Sequence, residues 1–410
     1  MTDQAERPYA QPPVRLPLAG DTPLQPPAVW EELRERCPVA HATLPSGDTA
    51  VYLTRYDDVR GLLSDPRFVR PSAADNAARM APEGAGGAAA TGSSAIAVPD
   101  RGEPHQRWRR QVGRYFTAKR MTALRPGMTR LAEDLVDAML ADAAPADLRS
   151  GLGFPFPVYV ICELLGVPAR DRDRFSGWSD SFLSVTRYGA DEIRAAHEEF
   201  VAYMSAHIAA KRAEPADDLL SVLITQSEDG GGLSDDELVA TGMGLLVAGH
   251  ETTANMIGKM VSMLLDDRSR WERLLADRSL VRTAVEESLR FDSNLGFGLR
   301  RYLGEDVEID GELVPAGSTV VCSMPAANRD ERAFGGADEM DLTRAPNPHL
   351  TFGVGPHSCL GQALARTELQ VVLEVLLDRV PTLRFAVPVA ELRRTEGLLV
   401  GGLSEVPVAW

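Results

Sequence analysis

The chain has 410 residues, 44% of them hydrophobic, enough to bury the core of a large globular enzyme. A formal net charge of −16 sets the molecule against polyanions, so neither nucleic acid nor an anionic membrane surface is expected as a partner. The four cysteines, Cys37, Cys162, Cys322 and Cys359, lie far apart without a CxxC pair, which excludes a disulfide scaffold or zinc ribbon and suits a reducing cytoplasm.

Residues 1–27 form a polar, Pro-rich lead without the apolar run of a signal peptide or membrane anchor. The pattern then predicts a helix over 28–36, a strand over 49–54 and a helix over 56–63. Residues 71–98 are rich in Ala, Gly and Ser without periodicity, as in a long binding loop or a disordered insertion. From His105 to Ala276 nearly every segment has helical spacing, broken at Gly151, Pro168, Pro215 and Gly230–Gly232. Within it, 237–266 reads as one long buried helix, apolar around most of its circumference from Ala240 to Gly249 but too short in its uncharged run to span a membrane. Strands are expected at 306–309, 318–322, 382–385 and 398–408, the last folded at Gly401-Gly402.

Four groups of residues carry chemistry. His105, Arg109, Val112 and Phe116 share one helical face, where a carboxylate-bearing ligand can lie. Mid-helix Ala248-Gly249-His250-Glu251-Thr252-Thr253 combines small residues, which leave room beside the helix, with a Thr252 hydroxyl able to bond back and loosen the turn. A zinc-protease reading of His250-Glu251 fails, because HExxH needs histidine where Ala254 stands. Glu287 and Arg290 share a helix face and form a structural brace. Lastly, Phe352-Gly353-Val354-Gly355-Pro356-His357-Ser358-Cys359-Leu360-Gly361 presents one cysteine from a glycine-studded loop leading into a helix, an arrangement that holds a thiolate against a flat metal cofactor.

These ten residues resemble the cysteine-loop signature of the cytochrome P450 family, and the other three motifs follow in the family's order from roughly Ala28 to the C-terminus. The resemblance implies a mainly α fold with small β-sheets, the cytochrome P450 fold, as a single triangular haem domain over 28–410. It implies haem b, iron protoporphyrin IX with Cys359 as axial thiolate and metal ligand. His105, Arg109, Arg301 and His357 would contact the cofactor with Phe352, Arg300 being the alternative to Arg301 in the register, and Glu251 and Thr252 would relay protons. The implied activity is a cytoplasmic haem-thiolate monooxygenase that activates O2 and oxidises a small organic substrate, in keeping with secondary metabolism. Electrons would come from a ferredoxin and its reductase, docking on a basic face of Arg107, Arg110 and Arg114 beside Arg366. Oxidative C–C or C–N coupling of aromatic units without oxygen insertion is the alternative chemistry, and a haem-based sensor or binding protein the alternative class. Two departures from the family pattern stand out. Glu339-Met340 replaces an Arg-Phe pair, leaving Arg344 as the nearest third partner of Glu287 and Arg290, and Asn294 replaces a proline beside the substrate.

Overall fold

The computed structural model describes residues 12–71, 76–83, 86–87, 98–141, 144–226, 232–292 and 296–410. Asn294, Gly230, Gly231 and most of the expected 71–98 loop lie outside them, and the described residues of that loop are neither helix nor strand.

The long helix spans Asp235–Asp266 and starts at a reciprocal cap: Ser234 Oγ accepts from the Glu237 amide at 3.2 Å, and Glu237 Oε2 accepts from the Ser234 amide at 2.8 Å. It is buried over most of its length and forms the axis of the helical core. Around it lie helices Ala118–Ala141, Pro155–Leu164, Phe175–Leu183, Ala190–Ala213 and Gln362–Arg379. Helix Gly102–Gly113 is pinned to its N-terminal half, where Arg107 pairs with Glu237 at 2.6 Å and Trp108 Nε1 donates to Thr241 Oγ1 at 2.8 Å.

The strands are β1 (Val14–Arg15), β2 (Val39–Thr43), β3 (Thr49–Leu53), β4 (Ala146–Asp147), β5 (Leu299–Tyr302), β6 (Val307–Ile309), β7 (Glu312–Val314), β8 (Thr319–Cys322), β9 (Arg384–Phe385) and β10 (Pro407–Ala409). The largest sheet runs β1-β2-β3-β8-β5; smaller sheets are β4-β10-β9 and the β6-β7 hairpin. Mainly α with small sheets is therefore the architecture. The expected hairpin at Gly401-Gly402 is corrected: Arg394 bridges Leu403, Thr395 N donates to Gly402 O at 2.8 Å, and only Pro407–Ala409 is strand. Gly402 serves close approach and not turning, since a Cβ on it would meet Asn255 Oδ1 of the long helix at 2.1 Å.

The Glu287–Arg290 brace ties this core to the segment before the cysteine loop. Both side chains are fully buried and meet through two 2.8 Å hydrogen bonds. Arg290 also donates to the carbonyls of Asn328, Ala337 and Glu339 at 2.8, 2.7 and 3.0 Å. Glu287 further accepts from the Asp341 amide, Arg344 Nε and Asn347 Nδ2. Arg344 thus fills the place that Glu339-Met340 leaves open, and each buried ion of the brace has a counter-ion and hydrogen bonds, as burial demands.

Candidate functional site

A cavity of about 660 Å³ lies between the long helix, helix Gly102–Gly113, β5 and the loop carrying Cys359. Gly353 and Gly355 shape that loop at φ +62° and +74°, and a Cβ on Gly355 would meet Leu63 O at 2.7 Å, so this turn requires glycine. The Cys359 amide donates to Phe352 O at 2.7 Å, which closes the loop and leaves the sulfur open to the cavity. Burial pushes the thiol up against the lowering effects of the Gly361 amide and the charges of Arg109, Arg366 and Arg70.

Outside the loop a clamp holds it. Arg366 lies over the Phe352 ring at 4.4 Å and donates to Glu286 at 2.7 Å, while His349 Nε2 sits 3.1 Å from the other oxygen of Glu286. Burial raises the Glu286 carboxyl, but the bonds from His349 and Arg366 hold it down at about 2.

Charge on the cavity wall is one-sided. The guanidiniums of Arg70, Arg109, Arg300 and Arg301 line it beside the rings of His105 and His357, against the carboxyls of Asp100 and Glu368. Arg301 is 1% exposed, its Nε has no hydrogen-bond partner among the described residues, and burial pushes its guanidinium down to about 10 with repulsion from Arg70. His105 and His357 stack at 4.4 Å. Burial, followed by Arg70, Arg301, His105 and Arg109, drives His357 down to about 3, and burial with Arg109 and Arg70 lowers His105, so both rings are neutral donors. Arg109 spans from its helix to Ser358, with Nη1 2.7 Å from the carbonyl.

The structure brings Cys359, Phe352, His105, Arg109, Arg301, His357 and Thr252 to this one cavity and leaves Glu251 outside its wall. Thr252 Oγ1 donates to Ala248 O at 2.8 Å, yet the helix runs unbroken through that turn, so the loosening expected there is corrected. Gly249 provides closeness as well as space, because a Cβ on it would meet Ile161 Cγ1 at 2.8 Å. Glu251 turns to the other side of the helix, where it is 1% exposed, accepts from Asn255 Nδ2 at 3.1 Å and lies 3.6 Å from Arg149. Burial raises its carboxyl, with Arg149, Asn255 and Arg187 opposing.

Sequence reasoning misses Arg70 and Glu368. Arg70 follows Val69, whose carbonyl accepts from the Tyr302 amide at 2.9 Å, a long-range bridge with no local signal. Glu368 stands two turns into helix Gln362–Arg379 and lines the cavity at 1% exposure, with neither carboxyl oxygen hydrogen-bonded among the described residues. Burial raises its carboxyl well above the ordinary carboxylate range, with the nearby Thr253 hydroxyl opposing. Nothing in the sequence separates it from the acids that the same helix turns to solvent.

The expected basic docking face is also reduced. Arg107 is committed to Glu237 and Arg366 to Glu286, because each reaches a carboxylate on a neighbouring helix, and Arg110 and Arg114 remain exposed.

A family model described as "Cytochrome P450" matches residues 172–277 and 260–382. The chain is 44% identical over 384 residues to mycinamicin IV hydroxylase/epoxidase of Micromonospora griseorubida, covering 93% of this chain and 94% of that protein. It is 37% identical to vitamin D3 dihydroxylase of Streptomyces griseolus, with both chains fully covered. Among solved structures, the putative thioether synthase SgvP, involved in tailoring griseoviridin, superposes with a TM-score of 0.92 at 38% identity, covering 98% of this chain and all of that one.

The Glu286 clamp has a pH signature. A carboxyl held at about 2 contributes stability that is fully present above its ordinary value of 4.5 and is lost as pH falls toward 2. Denaturant unfolding of the parent and Glu286→Gln is expected to differ by on the order of 3 kcal/mol near pH 6, a gap that closes on acidification.

Proposed function

Since the chain belongs to the cytochrome P450 family, it is an oxidoreductase of the monooxygenase type, and we propose that its cavity holds haem b with Cys359 as the axial thiolate. The observation that carries this reading is a thiol opening onto the same buried cavity as a surplus of basic side chains. A dianionic, flat ligand offsets that surplus. Arg70, Arg109 and Arg301 would hold its two carboxylates with the neutral N–H donors of His105 and His357, and Phe352 would pack beside Cys359. When bound, haem with a cysteine ligand supplies O2 activation, the sulfur giving electron density that favours O–O cleavage.

Thr252 presents its hydroxyl to the cavity, and Glu251 stands on the outer side of the same helix beside Arg149. In this reading Glu251 takes protons from the side of Arg149, Asp180 and Arg187 and passes them to Thr252 by side-chain rotation or through water. Met80, Phe116, Phe182, Met243 and Leu399 give the remaining wall an apolar character suited to a bulky organic metabolite, the kind for which the relatives are named. A ferredoxin with its reductase is the electron source, approaching the exposed Arg110 and Arg114. Among the described residues no helix is long and apolar enough to cross a membrane, and a cytoplasmic location accords with the free cysteines. Similarity to a putative thioether synthase favours one second reading, bond formation without oxygen insertion. Product mass separates the two: oxygen gained or hydrogen lost.

The reduced, CO-bound protein is expected to show the red-shifted Soret band of thiolate ligation, and Cys359→Ser to lose it even with haem retained. An unchanged band in that variant would remove the assignment. Thr252→Ala is expected to keep substrate binding and reduction but lower product formation about 100-fold, with reducing equivalents diverted to peroxide or water. Product still stoichiometric with NAD(P)H consumed would count against the relay.

A further inference from the structure

His250 and Glu251 each leave one buried atom without a hydrogen bond among the described residues, Nε2 and Oε2, and these two atoms stand 3.8 Å apart. His250 is fully buried, edge-on to Phe154, with Nδ1 2.6 Å from the Leu246 carbonyl. A carbonyl only accepts, so Nδ1 carries the ring proton and Nε2 of the neutral imidazole is a bare acceptor. Burial favours that neutral ring, pushing the imidazolium down to about 4 against the Leu246 carbonyl and Asp180.

We propose that His250 is a positioning residue for Glu251: its Nε2 accepts a hydrogen bond from the protonated Oε2 and so favours the proton-loaded acid. This rests on the reading of Glu251 as the acid of the relay. With the proton on Oε2, both orphaned atoms are satisfied by a side-chain shift of about 1 Å toward hydrogen-bond distance. Without it, two lone pairs face each other, and the carboxylate depends on Asn255 and Arg149 at its other oxygen. Other packed elements divide in the same way. Asp180, from helix Phe175–Leu183, opposes ionisation of Glu251, whereas Arg149 and Arg187 favour it; Asp180 is itself held by Arg187 at 3.3 Å and Tyr188 at 3.5 Å. When Glu251 passes its proton inward, its O–H bond breaks and the repulsion at Nε2 draws a replacement proton from solvent. His250 keeps its own Nδ1 proton throughout.

Infrared titration of the haem-loaded protein tests this, the protonated-carboxyl band of Glu251 being identified by its loss in Glu251→Gln. Because the raised acid is protonated below its midpoint and ionised above it, removing an acceptor that favours the protonated form moves the midpoint down. In His250→Phe, or His250→Leu if the larger ring disturbs folding, the midpoint is expected to fall by about one pH unit, tenfold in acidity, and the band to move to higher frequency. An unchanged midpoint and frequency in a folded variant, or no Glu251 band in the parent at any pH where it is folded, would overturn the proposal. The relay is judged separately, by the coupling of NAD(P)H use to product in Glu251→Gln. Lost coupling there with an invariant band in the His250 variants sinks this proposal alone; normal coupling sinks the relay, and with it the positioning role.

Discussion

Positive charge buried around one cavity, with too few carboxylates among the described residues to match it, is the constraint on which the site depends. An unpaired buried ion costs several kcal/mol, so the chain bears a penalty at Arg301 that the described residues do not remove. The surrounding elements keep that charge in place. Strand β5 carries Arg300 and Arg301 antiparallel to β8, the Val69–Tyr302 bridge brings Arg70 beside them, and helix Gly102–Gly113 supplies His105 and Arg109. A rigid cluster of guanidiniums around one cavity is a preorganised anion site.

The other half of the site is mechanical. Cys359 sits in a loop whose Gly355 allows close approach to Leu63 and Ser64, and that loop is held from outside by Arg366 and His349 on Glu286. Behind it, Glu287 collects Arg290, Arg344 and Asn347 while Arg290 gathers three backbone carbonyls. The ions of the brace are paired with one another, whereas Arg301 in the cavity wall keeps a buried Nε without a hydrogen-bond partner among the described residues. The first arrangement fixes position, and the second suits an anionic ligand.

What can be read from sequence is local. The cysteine loop is contiguous, and the long helix announces itself by sustained apolar spacing, beginning at Asp235, two residues before the expected start at Glu237. Strand β5 escapes such a reading because Leu299-Arg300-Arg301-Tyr302 has two charges in four residues and becomes strand only through pairing with β8. The commitments of Arg107 and Arg366 are equally tertiary: helical spacing shows which residues share a face, not what packs against it. His250 carries no further signal once the zinc pattern fails, and its neighbourhood with Glu251 emerges only from side-chain geometry.

The claim that the basic cluster exists to hold two carboxylates is tested most directly by titrating the haem-free protein with haem and with haem dimethyl ester, which keeps the ring and iron but lacks the acids, and measuring the rise in unfolding temperature. Haem is expected to stabilise far more than the ester, with the difference shrinking in Arg301→Leu. Equal stabilisation by the two in the parent protein would contradict the account.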